Sequence, residues 1–83
     1  MKVQIRYFAS VREALATSGE TVETCAGTLA ALRDELIARG GPYATALARG
    51  KAVRMALDQV MSDEAASLRE GAEVAFFPPV TGG

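Results

Sequence analysis

The order of hydrophobic patterns along the chain constrains the fold more than any other feature of the sequence. Residues 2–9, 52–59 and 72–77 alternate between apolar and polar positions. This period of two predicts strands with one face on a core. A further strand is predicted at residues 20–25, and Val60-Met61 either continue the 52–59 run or begin a short edge strand.

One segment has the helical period instead. Residues 29–39 place leucines on a single face, and Thr28 is a good N-cap for them. Gly40 and Gly41 supply the left-handed conformation that ends many helices. Two shorter helices are predicted, one after a capping box formed by Ser10 and Glu13, and one that begins at Pro42.

This order of elements predicts an α+β roll, in which a single twisted sheet of four to five strands carries the main helix on one face. Residues 1–77 would form this domain and residues 78–83 an extended, flexible C-terminal tail. The predicted core between sheet and helix consists of Val3, Ile5, Leu29, Leu32, Leu36, Val53, Met55, Leu57, Val74 and Phe76.

Charge and composition exclude several classes of function. The net charge is -1 and no basic run occurs, so the chain lacks the electrostatic footprint of a protein that binds nucleic acid or an anionic membrane. No apolar stretch approaches the roughly 20 residues of a membrane span, and the N-terminus does not resemble a signal peptide. We therefore expect a cytoplasmic protein.

Catalytic side chains are scarce as well. The sequence has no histidine, which is the commonest general base and metal ligand, and a single cysteine, Cys25, cannot form an internal disulfide. With no histidine to deprotonate it, Cys25 is interpreted as structural rather than reactive. We expect no metal site, no bound cofactor and no turnover by the chain alone.

The candidate chemical group is therefore the C-terminal carboxylate of Gly83. Pro78 and Pro79 end the last strand, because proline lacks a backbone donor, and Val80, Thr81 and Gly82 would carry Gly83 away from the domain. A tail that ends in two glycines can enter a narrow channel as nearly bare backbone. Adenylation by ATP would activate this carboxylate as a mixed anhydride. Attack by sulfur on the anhydride would then yield a thiocarboxylate.

A terminal Gly-Gly alone is a weak signal, but its context is specific. Residues 73–83, read Glu-Val-Ala-Phe-Phe-Pro-Pro-Val-Thr-Gly-Gly, closely resemble the C-terminus of the molybdopterin synthase small subunits, a family of ubiquitin-like β-grasp sulfur carriers. Tyr7-Phe8-Ala9 and Leu57-Asp58-Gln59 extend the likeness over the chain. Two positions depart from the family pattern: Asp58 replaces a common asparagine, and Ala72 replaces a common aspartate.

The resemblance implies a pathway in which Gly83 is the working residue. An E1-like enzyme would adenylate Gly83 with ATP, and a sulfur donor protein would convert it to a thiocarboxylate. The carrier would then dock on the large synthase subunit in a heterotetramer and give sulfur to a cyclic pyranopterin phosphate, forming the dithiolene of molybdopterin.

Three other functions stay open. The chain could carry sulfur for thiazole or cysteine synthesis, it could be a modifier joined to lysines through Gly83, or it could be an interaction domain whose tail has no role. The tail chemistry is common to the first two, while the Phe-Phe-Pro-Pro block and the short helix near Tyr43 favour the molybdopterin carrier.

A docking surface is also predicted from the strand patterns. Phe8 shares a strand face with polar residues, and so does Phe77, so both rings should point away from the core. In a β-grasp sheet the first and last strands are parallel neighbours, which would place the two rings together beside the tail. Exposed aromatic residues often anchor interfaces, and Met61 is predicted to extend this patch.

Overall fold

A computed structural model describes residues 1–79, and within this range the chain forms one mixed sheet with three helices. The elements in chain order are β1 (Lys2–Tyr7), α1 (Ala9–Leu15), β2 (Gly19–Glu23), α2 (Leu29–Ile37), α3 (Gly41–Ala46), β3 (Arg54–Leu57), β4 (Val60–Ser62) and β5 (Glu73–Phe77). The strand order is β2-β1-β5-β3-β4. Strands β1 and β5 are parallel, and the other neighbouring pairs are antiparallel. This is the predicted ubiquitin-like β-grasp fold.

The core lies between one face of the sheet and α2, as the hydrophobic pattern predicted. Eight of the ten predicted core residues are buried: Val3, Ile5, Leu29, Leu32, Leu36, Met55, Val74 and Phe76. The other two, Val53 and Leu57, are partly buried and pack against this cluster. The sheet's inner face and the leucine face of α2 therefore form the hydrophobic interior.

Helix α1 begins differently from the prediction. The expected capping box at Ser10 is wrong, because the helix starts at Ala9 and its N-cap is Phe8, which has extended backbone and makes no side-chain cap hydrogen bond. Phe8 still continues the β1–β5 ladder, since its amide donates to the Phe76 carbonyl at 3.1 Å. Its own carbonyl accepts from Val11 and Arg12, so strand β1 leads directly into the helix.

Val60 and Met61 belong to a short edge strand, β4, which forms a hairpin with β3. Leu57 and Val60 are register partners, so β3 and β4 are joined by the two residues Asp58 and Gln59. Both have positive φ, of 50° and 69°, as a type I′ turn requires, and aspartate tolerates this conformation well. The Asp58 carboxylate also accepts from the Glu73 amide at 3.0 Å, which attaches the turn to β5.

Candidate functional site

Two aromatic rings lie on the outer face of the sheet, opposite the core, at the end of β5 from which the tail departs. The Phe8 and Phe77 rings meet edge to face, with 6.5 Å between their centroids. Phe8 is 44% exposed and Phe77 is half-buried. The predicted proximity of these rings on the outer face is confirmed, because β1 and β5 are parallel neighbours.

Met61 lies on the same outer face, on edge strand β4. It is the register partner of Ala56, and Ala56 is the partner of Ala75 on β5. Side chains alternate along a strand, so Ala75 and Phe77 share one face, and Met61 shares it with them. Two strand spacings, about 10 Å, separate β4 from β5. Met61 is 55% exposed, and the residues level with it are small, Ala56 on β3 and Ala75 on β5, which leaves a shallow apolar surface.

Charged side chains border this apolar surface. Arg6 and Glu73 lie on the same outer face and form an ion pair at 3.2 Å. Arg54 is exposed and is the register partner of Phe77. We call the set Phe8, Phe77, Ala75, Ala56 and Met61 the outer-face patch. An apolar centre with a charged border is the usual composition of a protein-binding surface.

The root of the tail lies beside this patch and against the helices. Strand β5 ends at Phe77, and Pro78 and Pro79 are half-buried. The two prolines line a groove of about 300 Å³ whose other walls are α1, α3 and residues 51–53. The predicted tail residues Val80, Thr81, Gly82 and Gly83 lie outside the described residues.

A buried arginine, which was not predicted from the sequence, holds one wall of this groove in place. Arg33 of α2 is 4% exposed, and its guanidinium donates to the carbonyls of Leu47, Ala48 and Lys51 at 2.8, 2.7 and 3.1 Å. It also pairs with Glu64 at 3.5 Å. Charge-assisted bonds to three carbonyls fix the segment between α3 and β3, which forms one wall of the groove.

A second polar cluster holds α3 against the sheet. One oxygen of Glu20 accepts from the hydroxyls of Tyr7 and Tyr43 at 2.9 and 2.8 Å, and the other accepts from Arg39 at 2.9 Å. Burial opposes the charge on Glu20, but the hydrogen bonds from Arg39 and the two tyrosines outweigh it and lower the pKa of the carboxyl. Burial and the bond to Glu20 raise the pKa of Tyr7.

This cluster predicts a pH-dependent contribution to stability. Because the folded protein lowers the pKa of Glu20 from its ordinary value of 4.5, the stabilisation is complete above that value and is lost as the pH falls through the folded-state pKa. Glu20→Gln should therefore lower the free energy of unfolding by about 1–3 kcal/mol near neutral pH. In urea unfolding, the difference from wild type should hold from about pH 7 down to 4.5 and be smaller at about pH 3.5.

Glu13 offers the matched control, since it is an exposed glutamate on α1. Glu13→Gln should change the unfolding free energy little at either pH. A difference between wild type and Glu20→Gln that stayed constant over the pH range would contradict the proposed charge-assisted cluster.

The remaining sequence expectations concern cysteine, metals and membranes. Cys25 follows β2 and is a free, exposed thiol, so it does not pack in the core. Among residues 1–79, no group of three or more histidine, cysteine, aspartate or glutamate side chains could hold a metal ion. Over the same range, no helix is long and apolar enough to cross a membrane.

The fold and the site together define a β-grasp protein with an apolar surface beside the root of its C-terminal tail. The chain belongs to the ThiS family, whose model matches residues 5–83. It is 40% identical over 81 residues to a molybdopterin synthase sulfur carrier subunit from Escherichia coli and 35% identical to one from Haemophilus influenzae. Each match covers 98% of this chain and 99% of the relative.

Solved structures share the fold at lower identity. Subunits 1 and 2 of molybdopterin-converting factor from Helicobacter pylori form a protein-protein complex that includes a chain similar to this one, with a TM-score of 0.70, 24% identity and full coverage of both chains. SAMP1 from Haloferax volcanii is similar with a TM-score of 0.77, 19% identity and full coverage of both. At these identities the likeness shows the fold.

Proposed function

We propose that this chain is the sulfur carrier subunit of a molybdopterin synthase and has no catalytic turnover of its own. One observation carries the proposal: relatives 35% and 40% identical over nearly their whole length are named as such carriers. The outer-face patch beside the tail root supports it, because a carrier needs a surface that docks while its terminus enters a partner's active site.

The chemistry proposed for Gly83 has two steps. A carboxylate oxygen of Gly83 attacks the α-phosphorus of ATP on an E1-like enzyme, which gives an acyl adenylate and releases pyrophosphate. A sulfide-level sulfur supplied by a donor protein then attacks the acyl carbon, the bond to AMP breaks, and a thiocarboxylate remains. The absence of a side chain at Gly83 leaves the carbonyl carbon open to this attack.

The thiocarboxylate then requires a partner that holds its acceptor. We propose that the large synthase subunit binds the outer-face patch and receives the tail, and that the sulfur passes to a cyclic pyranopterin phosphate in that subunit. The Helicobacter pylori complex of subunits 1 and 2 supports the choice of partner, since one of its chains shares this fold. The edge-to-face pair of Phe8 and Phe77 would anchor the interface.

This docking model predicts a separation between affinity and stability. Phe77→Ala should weaken binding of the purified large subunit by about 2 kcal/mol or more in calorimetric titration, as expected for an aromatic anchor at an interface. The free carrier should lose less stability than affinity, because Phe77 is half-buried on the outer face and lies outside the core cluster.

Ile37 supplies the matched control for this variant. It is a partly buried apolar residue on α2, which packs on the opposite face of the sheet. Ile37→Ala should lower the thermal stability and leave the affinity for the large subunit nearly unchanged. Unchanged affinity in Phe77→Ala, with a large loss of stability, would place Phe77 among the structural residues and contradict the docking patch.

The alternative functions make different predictions for one reconstitution experiment. The thiocarboxylated protein is mixed with the molybdopterin synthase large subunit and the pyranopterin precursor, and in parallel with acceptor proteins of the thiazole and cysteine pathways. Dithiolene formation supports the proposed function. Sulfur transfer to another acceptor alone, or conjugation to lysines in place of sulfur transfer, would contradict it.

A further inference from the structure

The groove beside the root of the tail is a mostly apolar surface that is separate from the outer-face patch. Its lining residues are Ser10, Val11 and Ala14 of α1, Thr45 and Ala46 of α3, residues 51–53, Pro78 and Pro79. Its volume of about 300 Å³ is at the lower end for small-molecule pockets, which span about 300–1,000 Å³. A groove of this size suits one large apolar side chain of another protein better than a substrate or cofactor.

The groove and the outer-face patch share an edge. Phe77 belongs to the patch and Pro78, the next residue, lines the groove, so their Cα atoms are about 3.8 Å apart. On the neighbouring strand Phe8 belongs to the patch, and Ser10, two residues later, lines the groove. Strands β1 and β5 are parallel neighbours, so these two short connections lie side by side. A partner that covers Phe8 and Phe77 is therefore adjacent to the groove.

Hydrogen bonds and core packing hold the walls of the groove in place. The buried Arg33 guanidinium donates to the Lys51 carbonyl at 3.1 Å, and the Val53 amide donates to the same carbonyl at 2.9 Å. The Lys51 amide donates to the Ala48 carbonyl at 2.8 Å. On the α1 wall, Val11 is buried in the core cluster, which fixes the helix. A groove with fixed walls loses little conformational entropy when a partner binds.

Among the described residues that line the groove, the charged one is Lys51. It is exposed, and it pairs with no carboxylate of residues 1–79. A cation beside an apolar groove favours an occupant that carries a carboxylate next to its apolar side chain. The net charge of the chain is -1, so this preference belongs to the groove and not to the surface as a whole.

We propose that the groove is a second docking site for the large synthase subunit, and that it receives one large apolar side chain of that subunit with a carboxylate next to it. The apolar side chain packs between α1, α3 and the two prolines, and the carboxylate pairs with Lys51. The large subunit thereby holds the root of the tail from two sides, through the outer-face patch and through the groove. This inference rests on the proposed function, which names the same partner.

Substitutions that fill the groove test this proposal. Ala14 and Ala52 line different walls and are exposed, so a leucine at either position occupies the groove without entering the core. Ala14→Leu and Ala52→Leu should each weaken binding of the purified large subunit by about tenfold or more in calorimetric titration, because they displace the partner's side chain. Ala65→Leu is the matched control, since Ala65 is exposed and lies outside the groove and the patch. Its affinity should stay within about twofold of wild type.

Charge reversal at Lys51 tests the carboxylate of the occupant. Lys51→Glu should bind the large subunit more weakly than Lys51→Gln, because reversal replaces an attraction by a repulsion. The difference should be large at about 0.05 M salt and shrink at about 0.5 M salt, where the Debye length is below about 5 Å. Thermal melts check the fold of every variant. If one leucine variant folds poorly, the other fills the groove from a different wall and decides the result.

The outcomes separate this inference from the proposed function. A large subunit that does not bind the wild-type carrier overturns both. Wild-type binding with unchanged affinity in the folded leucine variants overturns the groove alone, and equal affinities of Lys51→Glu and Lys51→Gln at low salt overturn the paired carboxylate.

Two other occupants would also contradict the proposal. A carrier dimer that Ala14→Leu dissociates in sedimentation would assign the groove to a second copy of this chain. Nuclear Overhauser contacts between residues 80–83 and the Ala14 methyl group in the free carrier would assign it to the chain's own tail. The proposal predicts a monomer without such contacts.

Discussion

Deletion of Gly83 should abolish sulfur transfer in a system reconstituted with the activating enzyme, ATP, a sulfur donor and the large synthase subunit. The truncated chain would end at Gly82, one residue short, so its carboxylate would stop about 3.5 Å before the position at which the partners act. Near-attack geometry tolerates displacements of about 1 Å only with large losses of rate. We expect a loss of at least about 10²-fold, measured as molybdopterin formed per carrier.

The fold supplies the control for this deletion. The described elements end with β5 at Phe77, and no hydrogen bond among residues 1–79 depends on Gly83, so the melting temperature of the truncated chain should equal that of the full chain. A chain with one alanine added after Gly83 should fail equally, because it presents the wrong carboxylate. Normal molybdopterin formation by either variant would refute the role proposed for Gly83.

The second large effect concerns stability. Leu36→Ala should cost about 2–5 kcal/mol of unfolding free energy, because Leu36 is 2% exposed and its truncation leaves a cavity between α2 and the sheet. A domain of this size has a total stability of about 4–12 kcal/mol, so the loss is a large fraction of it. Urea unfolding followed by circular dichroism measures the difference directly.

Val60→Ala is the matched control, because Val60 is also apolar but 64% exposed on the edge strand β4. Its truncation should change the unfolding free energy by less than about 0.5 kcal/mol. An unchanged midpoint in Leu36→Ala, or equal losses in both variants, would show that the leucine face of α2 does not carry the core.

The elements that follow local periodicity could be predicted from the sequence. The leucine face of α2 and the alternation in β1 and β5 give the core, and the Thr28 cap is confirmed by its acceptance of the Ala31 amide at 3.2 Å. The proximity of Phe8 and Phe77 followed from one further rule, the parallel pairing of the first and last strands. The core depends on side-chain period, which can be read from the sequence, whereas the strand pairing followed from the resemblance to β-grasp proteins.

Other features depend on partners far apart in the chain and gave no local signal. From the local sequence, Arg33 would be expected to lie on the exposed face of α2. It is buried because its guanidinium donates to backbone carbonyls of residues 14 to 18 positions later in the chain. Glu20 likewise meets Tyr43, which is 23 residues away. The start of α1 was mistaken because Ser10 and Glu13 matched a local capping rule, while the long-range bond from Phe8 to Phe76 placed the N-cap earlier.

The central claim is that Gly83 receives sulfur as a thiocarboxylate, and intact-mass spectrometry tests it most directly. The 83-residue chain is incubated with the activating enzyme, ATP and a sulfur donor, and its mass is compared with that of a sample lacking ATP. The account predicts a mass gain equal to the replacement of one oxygen by sulfur, located on the peptide that ends in Gly83. An unchanged mass, or sulfur on Cys25 instead, would contradict it.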